Sequence, residues 1–294
     1  MTKPTSFVAE RQKFPYLCAE SSSAALTERG LKYFFRIAPT DHHDTVMFFQ
    51  FLNDMKKEGK QVSKIAMVYE KTEFGFHANE EVKKAVANSK GAYQIVADIP
   101  YEFKATDVNA EVLKVKAAQP DVVLHATQFS EMMLFAKAYE SLGVKVPANL
   151  SFCGGYQNPV FAKELGKTVE NYMGSCTFAE DFIQKKAQLK VLNDMFKAKV
   201  NSNLDGVAME ALTSVFVAAD AFNRAKDLSP DAVRDALATT ELSIATLPGK
   251  GVKFDENGQN IWIDSTMSQV IGGDYKVVWP AEWATAKTVW PMRP

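Results

Sequence analysis

Three consecutive hydroxyls, Ser21, Ser22 and Ser23, follow the run Pro15-Tyr16-Leu17-Cys18-Ala19-Glu20. A strand that ends in donors and leads into helix-compatible residues, here Ala24 to Arg29, suits an anion, because the first N–H groups of a helix lack backbone partners. Asp41-His42-His43-Asp44 has the residue types of a metal site. Adjacent residues on a helix point in different directions, however, so one cation cannot collect all four. Asp41 reads instead as a helix cap before Val46 to Met55. His77 and His125 are isolated, and His125 falls on a strand, where a packed histidine is expected. No GxSxG or Walker pattern occurs, and the Ser, His and Asp residues show no triad logic. Gly154-Gly155 lacks the spacing of a phosphate loop. Neither a metal nor a cofactor is expected, and no residue volunteers as nucleophile or base. What remains is a set of hydroxyl, amide and aromatic groups just past apolar runs: Ser21, Ser22, Ser23, Phe74, Gln128, Phe129 and Tyr156. That mixture suits reversible capture of a small polar or aromatic molecule.

The elements that must position these groups are clearest in the middle of the chain. Lys64 to Tyr69, Tyr93 to Ile99, Asp121 to Ala126, Leu150 to Cys153 and Tyr172 to Phe178 read as short apolar strands. Between them lie helical runs over Phe76 to Ser89, Asp107 to Gln119 and Ser130 to Leu142, and one from about Pro159. Gly91 and Gly143 stand at helix stops. This alternation predicts an α/β fold with a parallel sheet covered on both faces. In such sheets ligands bind outside the carboxyl ends of the strands. After Phe178 the pattern changes. Asp181 to Ala198 reads as a polar helix, and Ser229-Pro230-Asp231 starts another. Val207 to Ala225 is apolar nearly all round, which predicts a helix buried between layers.

Length and charge bound the rest. A chain of 294 residues has room for about two domains. The 34 basic and 35 acidic residues nearly cancel, so the basic stripe of a nucleic-acid binder is missing. No apolar run approaches ~18 residues, and Met1 to Ser6 has no signal-peptide core. Cys18, Cys153 and Cys176 read as three buried thiols, with a Cys153–Cys176 bridge left open for an oxidising compartment.

Several stretches, in order, resemble the periplasmic solute-binding proteins of branched-chain amino acid ABC importers. They are PYLCAESSSAALTERG with YFFRIAPTD, KIAMVYEKTEFG, FCGGYQNPVF, VKFDENGQN and QVIGGDYKVVWPAEWATAK. The resemblance implies a type I periplasmic-binding-protein fold of two Rossmann-like lobes joined by a multi-strand hinge. One lobe would comprise residues 1–40 and 179–260, the other 41–178 and 261–294. It also implies a non-catalytic periplasmic protein that closes on a small carboxylate and delivers it to a membrane permease. A sensory domain of the same fold is the alternative, and an α/β enzyme the least supported one.

Carried over by position, Ser22 matches the hydroxyl that binds the ligand carboxylate, with Ser21 and Ser23 beside it. Phe74 matches an aromatic cover and Gln128 a polar group of the second lobe, next to Phe129. Leu204 and Asp205 match first-lobe contacts at the start of a buried helix. Two departures stand out. Where amino-acid binders carry an acid for the ligand ammonium, this chain has Gly154, followed by Gly155 and Tyr156. An aromatic or aliphatic acid, or an amide, therefore fits better than an amine, unless Asp205 takes over. The family's opening strand–helix units are also missing before Pro15. The first lobe is expected to be incomplete, weak in ligand binding and prone to self-association.

Overall fold

Continuous runs of Val, Ile, Leu and Ala become buried strands here, and the mixed runs between them become helices with one apolar face. The computed structural model describes residues 2–185, 187–244 and 246–292. The chain divides into two compact units, Met1–Thr40 with Phe182–Ser265, and Asp41–Asp181 with Thr266–Pro294. The first unit opens with α1 (Thr2–Arg11), β1 (Tyr16–Cys18) and β2 (Phe34–Arg36). The second carries α2 (Asp41–Lys57), β3 (Lys64–Glu70), α3 (Glu73–Asn88), β4 (Gln94–Tyr101), α4 (Asn109–Ala118) and β5 (Val122–Ala126). It continues with α5 (Phe129–Ser141), β6 (Ala148–Ser151), α6 (Cys153–Tyr156), α7 (Pro159–Leu165) and β7 (Met173–Cys176). The first unit resumes with α8 (Phe182–Lys185), α9 (Ala187–Val200), α10 (Gly206–Arg224), α11 (Pro230–Ala238), β8 (Glu241–Leu242) and β9 (Val252–Lys253). The chain then re-enters the second unit through β10 (Thr266–Ile271) and β11 (Asp274–Trp279).

The second unit is built on a seven-stranded sheet in the order β11-β10-β7-β6-β5-β3-β4. The strands from β4 to β7 run parallel, and β10 is antiparallel to both its neighbours. Successive side chains of a strand point to opposite faces, and the two faces feed two separate cores. Ala66, Val68 and Val123 join Phe135 and Tyr139 in one, while Ile65, Met67, Val122 and Leu124 join Phe48, Leu52 and Val82 in the other. His125 lies on the first face, wholly buried, with Nε2 3.2 Å from the Tyr139 hydroxyl. Burial pushes its pKa down to about 3, with Asn149 acting the other way. It stays neutral and packs as a core residue.

The first unit holds β1 and β2 as a two-stranded parallel sheet, stapled by residues far along the chain. The Gly258 carbonyl accepts from Arg36 N at 2.7 Å, and Asn260 N donates to the Arg36 carbonyl at 3.0 Å. The Asn260 amide donates to the Ile37 and Gly251 carbonyls at 3.1 and 3.2 Å. Gly258 makes this approach feasible. Its φ is +78°, and an added Cβ would lie 2.0 Å from the Phe34 carbonyl oxygen. Gly258→Ala is expected to cost about 2–3 kcal/mol, combining left-handed strain with a backbone clash; an unchanged urea midpoint would refute the staple.

Two expectations need correcting. Ala24 to Arg29 forms only a single 3-10 turn, Ala24–Leu26, and Ser23 makes no side-chain cap there. The helix-terminus anion site is therefore missing. α10 is not buried on all sides. Gly206, Met209, Thr213, Val217 and Ala221 are covered, whereas Val207, Val215 and Phe222 are about half exposed or more. The helix packs on β1 and α11, and a two-stranded sheet has width for only one of its faces. Cys18 and Cys176 are buried free thiols, the leading expectation, and the Cys153–Cys176 bridge left open beside it does not form. The side chain of Cys153 lies outside the described residues. Among the described residues, no helix is long and apolar enough to cross a membrane.

Candidate functional site

In the first unit the serine loop hangs on one side chain that sequence reading passed over. The Arg36 guanidinium is completely buried. Its Nη1 donates to the carbonyls of Ser21 at 3.0 Å and Ser23 at 2.6 Å. Its Nη2 donates to Thr27 Oγ1 at 2.9 Å, and its Nε to Gln259 Oε1 at 2.7 Å. Gln259 in turn donates from Nε2 to the Ala38 carbonyl at 3.1 Å. A planar fork of fixed donors is the group able to hold several carbonyls at set angles. The loop's backbone oxygens are therefore occupied on the Arg36 side. Ser21 Oγ lies 2.5 Å from Thr2 Oγ1, Ser22 is half-buried, and Ser23 Oγ is buried without a partner.

Two carboxylates flank this loop. Asp205 caps α10, its Oδ1 accepting from Ala208 N at 2.8 Å. Leu204 is buried, and its N–H donates to Asn193 Oδ1 at 2.9 Å, so it serves packing. Glu20, absent from the sequence-derived set, retains solvent exposure. Loss of hydration raises its pKa, and the neighbouring Asp205 charge adds to the rise. An acid whose charge is disfavoured by a neighbouring carboxylate, beside a row of hydroxyls, marks a local excess of negative potential, which a cation would relieve.

In the second unit the expected residues sit at the carboxyl ends of the adjacent strands β3 and β5. Phe74, in the first turn of α3, is half-buried, its ring meeting Phe152 edge-on at 6.4 Å. Phe76, two residues later, is 51% exposed, and is the more accessible aromatic. Gln128 and Phe129, at the start of α5, are both half-buried. Tyr156 differs from expectation. It is wholly buried, donates to the Tyr172 carbonyl at 3.0 Å, and packs against Phe161 and Tyr275. Gly174 leaves the space for it, since a Cβ there would meet the ring at 2.6 Å. Its ring belongs to the core, not to a ligand surface. Gly155 likewise serves a close approach, a Cβ there falling 2.4 Å from the Thr127 carbonyl oxygen. Gly154 lies in the short helix α6, and its surroundings fall outside the described residues.

Asp41 and His42, whose residue types alone would suit a metal, are spent on neighbours. His77 Nδ1 lies 3.0 Å from Asp41 Oδ2, and His42 Nδ1 lies 2.7 Å from Glu81 Oε2. Among the described residues no group of three or more His, Cys, Asp or Glu side chains is arranged to hold a metal ion.

Residues 2–274 match the Periplasmic binding protein family. The chain belongs to that family. Relatives agree with this. Leu/Ile/Val-binding protein homolog 7 of Brucella suis biovar 1 (strain 1330) is 26% identical over 268 residues, covering 87% of this chain. The chain spans 65% of that relative's length. Homolog 8 of Brucella abortus (strain 2308) is 24% identical over 295 residues, covering 96% of this chain and 72% of its own. Among solved structures, a leucine binding protein from Thermotoga maritima MSB8 superposes with a TM-score of 0.79 at 16% identity, covering 92% of this chain and 74% of its own. A solute binding protein from R. palustris in complex with benzoate gives 0.80 at 14% identity, with 97% and 74% covered. A branched-chain amino acid transporter substrate binding protein from Streptococcus pneumoniae, in complex with isoleucine, gives 0.78 at 18%, with 99% and 76% covered. The fold of this periplasmic binding protein is thus the α/β, type I periplasmic-binding fold that the sequence resemblance implied.

Proposed function

We propose that this protein is the substrate-binding component of an ABC importer. It works in the periplasm, captures a small carboxylate-bearing molecule by hinge closure of its two units, and hands it to a membrane permease. The observation that carries the reading is the serine loop after β1, pinned from behind by Arg36. Pinning removes the loop's freedom before the ligand arrives, so less ordering entropy opposes binding. One or two charge-assisted bonds from the half-buried Ser21 and Ser22 are worth about 1.5–3 kcal/mol each. That falls short of the ~8 kcal/mol of micromolar binding once association entropy is subtracted. Contacts from the β3 and β5 loops, through Phe74, Gln128 and Phe129, supply the remainder in this reading.

Glu20 and Asp205 refine the ligand class. Gly154 removes the acid expected for an ammonium group, but the carboxylate pair beside the serines restores one in the other unit. An amino acid, with its own cation, fits this charge pattern better than a bare acid. Calorimetric titration with L-leucine, L-isoleucine and benzoate tests the reading. Leucine or isoleucine should bind with a scattering-detected contraction of the protein. Absence of any heat across a panel of amino acids and organic acids would end it. Glu20→Gln should weaken leucine by about tenfold, the loss of one charged hydrogen bond, and leave benzoate unchanged or tighter. Equal loss for both would assign Glu20 to folding instead. Self-association, the remaining partner in this reading, would use Val207, Val215 and Phe222 of α10. Sedimentation over a range of protein concentrations checks it.

A further inference from the structure

The end of β3 carries a buried acid that neither the sequence nor the reading above uses. Glu70 is 2% exposed. Its Oε1 accepts from Thr72 Oγ1 at 2.6 Å, and the same hydroxyl oxygen accepts from Gly75 N at 3.4 Å, capping α3. Its Oε2 is buried and unpartnered. Glu70 stands opposite Tyr101 of β4 in register, and Thr127 follows Ala126, the partner of Tyr69, on β5. Cross-strand neighbours share a face. The row Tyr101, Glu70 and Thr127 therefore spans three adjacent strand ends, and Tyr101 OH and Thr127 Oγ1 are also buried and unpartnered. Behind it, Glu131 of α5 is 1% exposed and accepts from Lys104 N at 2.7 Å and Ser130 Oγ at 2.5 Å. One carboxyl group thus sits among the starts of α3 and α5, the segments bearing Phe74, Phe76, Gln128 and Phe129.

We infer that Glu70 is a positioning residue that sets the conformation of the α3 and α5 starts according to its own protonation, and so couples ligand capture to pH. The ligand half of this inference rests on the function proposed above; the coupling between Glu70 and the two helix starts does not. The ionised form holds the Thr72 hydroxyl as donor and faces the Gln128 amide. The protonated form turns a donor toward the unpartnered oxygens of Thr127 and Tyr101. The ionisable groups facing it are Glu131 from α5 and Tyr101 from β4, while the β3–α3 and β5–α5 loops bring the neutral Thr72 and Gln128. Desolvation raises the Glu70 pKa, opposed by the Thr72 hydrogen bond and the nearby Gln128 amide and helped by the Glu131 charge. The folded state then binds more protons than the unfolded one above the ordinary carboxyl value of 4.5. Stability attributable to Glu70 should accordingly fall as pH rises from there through the folded-state pKa.

Amide hydrogen exchange at residues 73–76 and 128–131, corrected for intrinsic rates and followed from acid to neutral pH, is the test on the ligand-free protein. In the wild type, protection in both segments should change together across one transition. In Glu70→Gln, which keeps size and an acceptor, that transition should vanish while the fold persists. Glu70→Asp should retain a transition at a shifted midpoint. A transition unaltered in Glu70→Gln, or confined to one segment, would overturn the inference. L-leucine titrations over the same pH range add the functional arm, in which wild-type affinity varies with pH and Glu70→Gln affinity does not. Failure of leucine to bind the wild type counts against the proposed function, and the exchange data still decide the role of Glu70.

Discussion

Arg36→Met should lower stability by about 3–5 kcal/mol and remove most ligand affinity. Methionine fills part of the volume but offers no donor. The carbonyls of Ser21 and Ser23, Thr27 Oγ1 and Gln259 Oε1 would then lose their shared partner. Buried acceptors left unsatisfied cost about 1–3 kcal/mol each when relaxation is incomplete, and waters recover some of that. A loss of this size corresponds to a fall in melting temperature of roughly 10 °C or more for a domain of this size. Arg36→Lys should fall between the two, since an ammonium is a point charge and cannot span the same acceptors in one plane. Scanning calorimetry on the three proteins measures the effect. A shift of only a degree or two for Arg36→Met would mean that the loop is held by something other than the guanidinium.

Gly75→Ala is the second large effect. Gly75 is buried in the first turn of α3, where a Cβ would stand 2.0 Å from the Glu70 carbonyl oxygen and 2.9 Å from the Glu70 nitrogen. Both are backbone atoms, so no side chain can swing aside. Either α3 retreats from the sheet or the end of β3 bends, at about 2–3 kcal/mol for a core overpacking change. The displaced turn carries Phe74 and Phe76, so leucine affinity should fall as well. Gly91→Ala supplies the comparison. Its φ is +85° with nothing within 4 Å of the added Cβ, so only left-handed strain of about 1–2 kcal/mol applies, and ligand affinity should hold. Equal affinity losses in the two variants would remove the argument from the β3–α3 junction.

The aromatic–glycine pair Phe74-Gly75, read in the sequence as part of a resemblance, thereby gains a physical reason. The strand–helix rhythm from Lys64 to Ser151 was legible chiefly because β3 and β5 are buried on both faces and so appear as apolar runs. The polar skeleton of the site was not. Arg36 and Gln259 are 223 residues apart, and no local pattern marks either as the other's partner. Glu70 looks like an ordinary loop acid until packing removes its water, and Glu20 until Asp205, far along the chain, is set beside it. Tyr156 misled in the opposite direction. Its position after a strand suggested exposure, but the glycine at 174, on a different strand, opens the space that draws it inward. Val207 to Ala225 was misread because apolar composition shows what a helix can bury, and not how much sheet is there to cover it.

The separation between Arg36 and its clamp also has a consequence in time. A ribosome adding roughly 5–20 residues per second needs on the order of 10–45 s to travel from Arg36 to Gln259. Throughout that interval the serine loop has its guanidinium but not the Gln259 and Asn260 side chains that fix β2 from the far side. The strands β3 to β7 pair with near neighbours in sequence, whereas the short β1–β2 pair must wait for residues more than 200 positions further on. Residues 16–36, with β1, β2 and the serine loop, therefore stay unfinished throughout that interval, and that is the stretch a holding chaperone would meet.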